Sequence, residues 1–459
     1  MLQRKFQIFS LLVALVFTAS CSHNQQQSHT SEVDLDLDVK KFTLDNGLRL
    51  LVYENNRLPI VSYYTFFDVG GRYEENGTTG ATHFLEHMMF KGAKKYGPRE
   101  FDTYIERNGG STNAYTTFDN TVYYESFPKA SLDKIIDMES DRLQHLLLEE
   151  KSFEKERQVV LEERKMRYEN SDKGKLYLAM MKDVFKGTPY GGSVIGDKKD
   201  VENLNRDQMM DFFKRFYTPD NAIIVISGDV DASDVYSKIK SAFGSIKKSE
   251  NLAQYKREKD APKHYQFKKK FENEIRLHGQ SENPIFMIAY KGEPVGSDKS
   301  YQLDILSSIL GQSESSYLNQ LWTKGKHPKL GATYVANYTM KNNGVFYIYG
   351  ELLHKVSLSS FKNSYEKMTR NICDEAISER TLQKTKNQFL VQYYGSLETN
   401  AEVARFLGNN EFFAGSYDFY KKEIDIINAI TVSQVMKVCK EVFNDEKIFV
   451  SIWNKHPNK

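Results

Sequence analysis

The sequence predicts an α+β fold made of two related halves in tandem, each pairing a sheet with helices. Three observations carry that prediction. Segments rich in Val, Ile, Thr, Tyr and Phe open each half, and helical segments follow them. The order of elements in the second half echoes the order in the first. Between them, KKSENLAQYKREKDAPKHYQ is charged and carries a proline, so 247–266 reads as a linker. The expected organisation is an export signal over 1–21, a tether over 22–39, one domain over 40–246 and a second over 267–459.

A chain of 459 residues has ample material for two or three cores. Its net charge of +2, without long basic runs, gives no support for nucleic-acid binding. MLQRKFQIFSLLVALVFTASC has basic residues Arg4 and Lys5, an apolar run and small residues before Cys21, which reads as an export signal. The run is shorter than the roughly 20 residues that a spanning helix needs, and no second run reaches that length. The cysteine after Thr18-Ala19-Ser20 resembles a bacterial lipobox, apart from Thr18 where leucine is usual. A lipid anchor in the bacterial envelope, with the protein facing the periplasm, is therefore expected, and simple cleavage to an unanchored exported protein is the alternative. The polar, acidic stretch after Cys21 reads as a flexible tether. Two further cysteines, Cys373 and Cys439, could form one disulfide, but sequence does not show that they meet.

In the first half, KFTLDNGLRLLVYE alternates around Asn46-Gly47, a hairpin signal. IVSYYTFFDVGGRYE is a third strand. A helix follows it and carries His83, Glu86 and His87 in the order H-x-x-E-H, the inverted zincin motif. Positions i, i+3 and i+4 of a helix share one face, so both imidazoles can reach one metal ion with the Glu86 carboxylate beside them. Zinc takes imidazole nitrogen and keeps a position open for water, and a neighbouring carboxylate can take that water's proton. The flanking Phe84, Leu85, Met88, Met89 and Phe90 bury this helix, and buried imidazoles need partners.

Arg99 to Asn108 reads as a short helix, and STNAYTTFDNTVYYESF as a strand hairpin. Long helices are expected over 131–148 and 151–168. In the second of these Glu156 and Glu163 lie seven residues apart on one face, yet spacing alone does not choose a metal ligand among Glu154, Glu156, Glu162 and Glu163. PYGGSVIGDKK lacks the Gly-Lys-Ser/Thr of a phosphate loop and reads as a surface loop. A helix over 206–216 and the strand NAIIVISGD close the half. In the second half NPIFMIAYKG reads as a strand, and SYQLDILSSILG as a helix with Leu303, Leu306 and Leu310 on one stripe. Strands over 332–338 and 344–352, further helices and KIFVSIW complete it. His327 and His354 are isolated and read as surface residues.

HFLEHMMFKG, GGSTNAYTTFDNTVYY, ERQVVLEE and YTPDNAIIVISGDVD resemble, in order, the M16 metallopeptidases (the insulinase, pitrilysin and mitochondrial processing peptidase family). The resemblance implies two related α+β domains, each a mostly antiparallel sheet packed on helices. It implies one zinc ion held by His83, His87 and Glu163, with Glu86 as general base and Glu156 in support. It also implies that Asn113 and Ala114 lie on an edge strand along which extended peptide substrate is laid. The family's Arg and Tyr, seven residues apart, place Tyr334 at the tyrosine, but His327 then stands where arginine is expected, with Lys324 or Lys326 as substitutes. That departure leads to an expected dimer, with a zinc-free M16-like chain as the candidate partner. The implied activity is zinc-dependent cleavage of extended or unfolded polypeptide. The alternative is a non-catalytic subunit that binds polypeptide or supports a partner peptidase.

Overall fold

Among residues 36–267 and 270–454, which the computed structural model describes, eleven strands form two sheets. The export signal, Cys21 and the tether as far as residue 35 lie outside the described residues. The first sheet contains β1 (Val39–Thr43), β2 (Arg49–Glu54), β3 (Ile60–Phe67), β4 (Ser111–Thr116), β5 (Thr121–Pro128) and β6 (Ala222–Gly228). Its spatial order is β1-β2-β6-β3-β5-β4, and only β2 and β6 run parallel. The second sheet contains β7 (Glu274–Gly279), β8 (Ile285–Lys291), β9 (Leu330–Thr339), β10 (Gly344–Leu352) and β11 (Lys447–Asn454). It is ordered β7-β11-β8-β10-β9, with only β11 and β7 parallel.

Removing β1 superimposes the two orders strand for strand, and this is the physical content of the echo between the halves. In each half the last strand returns to sit between the first and second strands of the common order. β6 can do so because Ala222–Gly228 is apolar enough to be buried on both faces. The correspondence also equates β4 with β9 as edge strands.

Each half also covers the other half's sheet. One face of the first sheet carries Val39, Leu51, Tyr64, Phe66 and Val225. Helix Asn400–Ala414 from the second half packs on it through Val403, Ala404 and Leu407. Gly408 permits the close approach, since a Cβ there would lie 2.1 Å from the Phe66 ring. Reciprocally, helix Asp172–Val184 of the first half packs Leu176, Met180 and Met181 against Met287, Ala289, Val450 and Ile452 of the second sheet. Each such buried side chain contributes about 1.5–3 kcal/mol, so both exchanges are firmly held.

Two expectations are revised. The 247–266 stretch holds a helix, Leu252–Lys259, whose Leu252 joins the first core, and Tyr265 is buried. Its Lys256 and Asp260 pair with Asp68 and with the buried Arg72. One apolar stripe among so many charges was too sparse to show in the sequence. PYGGSVIGDKK is not a surface loop throughout: Tyr190 and Ile195 are buried, and Gly196 packs against Thr79 and Gly80 beside the histidine helix. Cys373 and Cys439 form a disulfide, with Cα atoms 5.9 Å apart. No described helix is long and apolar enough to cross a membrane.

Candidate metal centre

The histidine helix spans Ala81–Met88 and starts at Gly80, which has φ +90° and no side chain to cap the first turn. Glu74 does this from outside, accepting from the backbone N–H groups of Gly80 and Thr82, each at 2.7 Å. Phe84, Leu85 and Met88 are fully buried. Phe84 stacks on Phe153 with ring centroids 4.7 Å apart, which docks the histidine helix on the glutamate helix, Glu150–Arg164. Phe153, Glu156, Val160 and Glu163 follow i, i+3, i+7, i+10 spacing, so the face that buries Phe153 and Val160 also aims both glutamates at the histidines. Arg157 fixes this helix further by donating to the carbonyls of Val201 and Leu204.

His83, His87 and Glu163 each offer a ligand atom, and these atoms lie within 4.8 Å of one another. Glu163 Oε2 stands 3.7 Å from His83 Nε2 and 3.3 Å from His87 Nε2. The Nδ1 of His87 is 2.9 Å from Glu156 Oε1, so donation there leaves the Nε2 lone pair for a metal. Lys91 pairs with the other oxygen of Glu156 at 2.8 Å, and Arg167 with Glu163 Oε1 at 2.6 Å. The Thr116 hydroxyl, at the end of β4, donates to Glu86 Oε2.

Burial, with His87 beside it, pushes the His83 imidazole down to about 3, so it is neutral and able to ligate. Burial opposes charge on His87 as well, but hydrogen bonds to Glu156 and Glu163 outweigh it and raise the group to about 9. The shifts differ because Glu156 and Glu163 both hydrogen-bond His87, whereas Glu163 approaches His83 only to 3.7 Å; a metal binding at His87 would displace its proton. Burial raises Glu86, which favours a group that accepts a proton. Burial also opposes ionisation of Glu163, yet its histidine and arginine partners hold it below the usual carboxylate range. Two imidazole nitrogens and one carboxylate oxygen, with the Thr116-held Glu86 carboxylate beside them, fit the donor set of a zinc site with an open position.

Of the four glutamates, the structure brings Glu163 toward both histidines and Glu156 to His87 Nδ1. Glu154 pairs with Arg157, and Glu162 is exposed beside Lys165, so neither faces the histidines. Asn113 and Ala114 lie on β4, the edge of the first sheet, two to three residues from the Thr116 that holds Glu86. Tyr334 is on β9, the edge of the second sheet, stacked on Tyr349 at 5.0 Å. Among the described residues it has no ring or polar contact with the metal group. His327 and His354 are exposed. Sequence reasoning missed Lys91, Arg167, Thr116 and Glu74. Lys91 and Arg167 stand four residues after His87 and Glu163, a spacing that could have flagged them. Thr116 reaches Glu86 through a strand–helix approach that leaves no sequence trace.

Comparison with known proteins bears on the family of the chain. Residues 50–198 match the model described as insulinase (peptidase family M16), and residues 203–389 match the peptidase M16 inactive domain. A zinc protease PqqE of Helicobacter pylori is 29% identical over 412 residues, covering 88% of this chain and 90% of its own. The beta subunit of the mitochondrial-processing peptidase of Dictyostelium discoideum is 25% identical over 454 residues, covering 95% and 93%. A crystal structure of a protease from Helicobacter pylori has a TM-score of 0.82 at 25% identity, covering 91% of this chain and 99% of that one.

Proposed function

The chain belongs to the M16 peptidase family, and from that premise we propose that it is a zinc-dependent endopeptidase acting on extended or unfolded polypeptide. The observation that carries the reading is the convergence of His83, His87 and Glu163 with Glu86 unligated beside them. His83, His87 and Glu163 would hold the zinc. When bound, zinc supplies a Lewis acid that polarises a carbonyl and acidifies water.

Glu86 takes the proton of the attacking water and returns it to the leaving amide nitrogen, so the carboxylate ends the cycle as it began. Thr116 holds one Glu86 oxygen and leaves the other for that proton. Glu156 orients His87 through Nδ1, and Lys91 holds Glu156. The outer edge of β4, at Asn113 and Ala114, offers backbone groups that an extended substrate can extend as a further strand, which gives affinity with little demand on sequence.

Metal content and cleavage of an unfolded polypeptide, measured on the wild type and on Glu86→Gln, test the reading. Glu86→Gln keeps zinc and loses on the order of a hundredfold or more in rate. Normal turnover in that variant would remove Glu86 as the base, and a zinc-free wild type would remove the metal. Two parts of the proposal concern the setting. Because one relative is named as a peptidase subunit, and because His327 replaces the expected arginine, we place the active form in a dimer. A monomer with full rate, unaffected by Tyr334→Phe, would overturn that. Lipidation at Cys21 anchors the protein in the envelope, and unchanged membrane association of Cys21→Ala would overturn it.

A further inference from the structure

Four helices of the second half, Asp298–Gly311, Glu379–Gly395, Asn400–Ala414 and Phe419–Ala429, surround a cavity of about 480 Å³. No residue of the metal centre lines it. Six aromatic rings contribute to its wall, among them Tyr301, Phe389, Tyr393 and Phe406. They brace one another: Tyr393 meets Phe406 edge-on at 5.1 Å and lies 5.8 Å from Phe389. The size falls within the roughly 300–1,000 Å³ of small-molecule sites, which set rings beside a small number of polar groups, here Ser396, Arg405, Asn409, Asn410 and Glu423.

Two opposite charges share this wall. Glu423 is half-buried, accepts from the Tyr393 hydroxyl at 3.1 Å, and forms no ion pair with a basic side chain among the described residues. Burial raises its pKa. Arg405 is exposed, forms no ion pair with an acidic side chain among the described residues, and its charge also acts on Tyr64 and Tyr115 of the first sheet. The two do not pair with each other, although both line the same space. A carboxylate partly withdrawn from water without a counter-charge is costly, so Glu423 would gain from an incoming cation. Aromatic faces beside it favour an ammonium group, and a guanidinium favours a carboxylate. An apolar molecule would leave both charges unanswered, and a simple amine would leave Arg405 unanswered.

We infer that this cavity binds a small zwitterion with an apolar side chain, of amino-acid to dipeptide size, its ammonium at Glu423 and its carboxylate at Arg405. The side chain packs among the rings. The inference does not depend on the reaction at the metal centre, so either can fail alone.

Calorimetric titration of the full zinc-loaded chain with leucyl-phenylalanine tests it, in a Glu86→Gln background so that the probe is not consumed. The free dipeptide binds. Blocking its amine by acetylation, or substituting Glu423→Gln, weakens binding by about tenfold or more, the cost of one charged hydrogen-bonding partner. Combining the two costs little more than either alone, because both remove the same contact. Amidating the carboxyl end and Arg405→Met behave as a second such pair. Absence of binding by the free dipeptide at millimolar concentration overturns the inference. So does acetylation or amidation without effect on the unsubstituted cavity, a comparison that stands even if a substituted chain fails to fold. Additive losses in both pairs would show that the charges do not meet where we place them.

Discussion

Glu156 touches no metal in the arrangement above, yet its loss should be read directly in zinc affinity. Its Oε1 stands 2.9 Å from His87 Nδ1, its Oε2 pairs with Lys91 at 2.8 Å, and its side chain is 8% exposed. A hydrogen bond to a charged group contributes about 1.5–3 kcal/mol. Outer partners of metal-binding histidines typically contribute about 10–100-fold in metal affinity, or about 1.4–2.7 kcal/mol. The two routes agree. Glu156→Gln keeps an acceptor for His87 but loses the charge, so it should weaken zinc by about tenfold, at the lower end of that range. Glu156→Ala removes both and leaves Lys91 without its partner, so about a hundredfold is expected. Competition against a chelating dye at neutral pH measures both, with circular dichroism to show that the fold is intact. Zinc affinity within twofold of wild type in both variants would refute the idea that Glu156 sets the orientation of His87, and the reverse ranking would refute the role of its charge.

Thr116→Val removes the donor on Glu86 and should lower kcat by about tenfold, the worth of one charged hydrogen bond, while zinc content is unchanged; an undiminished kcat would show that Glu86 is held by other groups. The Cys373–Cys439 disulfide closes 66 residues, and loop-closure entropy assigns it about 4 kcal/mol; denaturant unfolding with and without reductant, or of Cys373→Ala, should show most of that loss. Asp172 accepts from Ser281 N and Oγ and from Gln280 N, tying its helix to the second half. Burial opposes its ionisation, but these bonds hold its carboxyl below the usual range. Its contribution is therefore present above the unfolded value of about 3.9 and is lost as pH falls through the lower folded value. Asp172→Asn should destabilise by about 1–3 kcal/mol at neutral pH and by less in acid; an equal loss at both would rule out the charge as the cause.

Local physics made much of this protein legible from sequence. The i, i+3, i+4 spacing of His83, Glu86 and His87 follows from helical geometry alone, and nearly every strand could be placed because alternation and β-branched runs declare themselves within a few residues. The repeated order of the halves was likewise visible, since it is an order along the chain. Tertiary structure decided what depends on side chains distant in sequence. Spacing left four glutamates open as the third ligand; the Phe84–Phe153 stack and the Arg157 anchors turned the helix so that Glu156 and Glu163 faced the histidines. The exchange of helices Asp172–Val184 and Asn400–Ala414 between the sheets had no signature either, because an amphipathic stripe says that a face is buried and not which sheet buries it. The pairing of Cys373 with Cys439, and the placing of Glu423 and Arg405 on the wall of one cavity, belong to the same class. Periodicity reports the environment of one segment, whereas contacts between segments are set by how all of them pack at once.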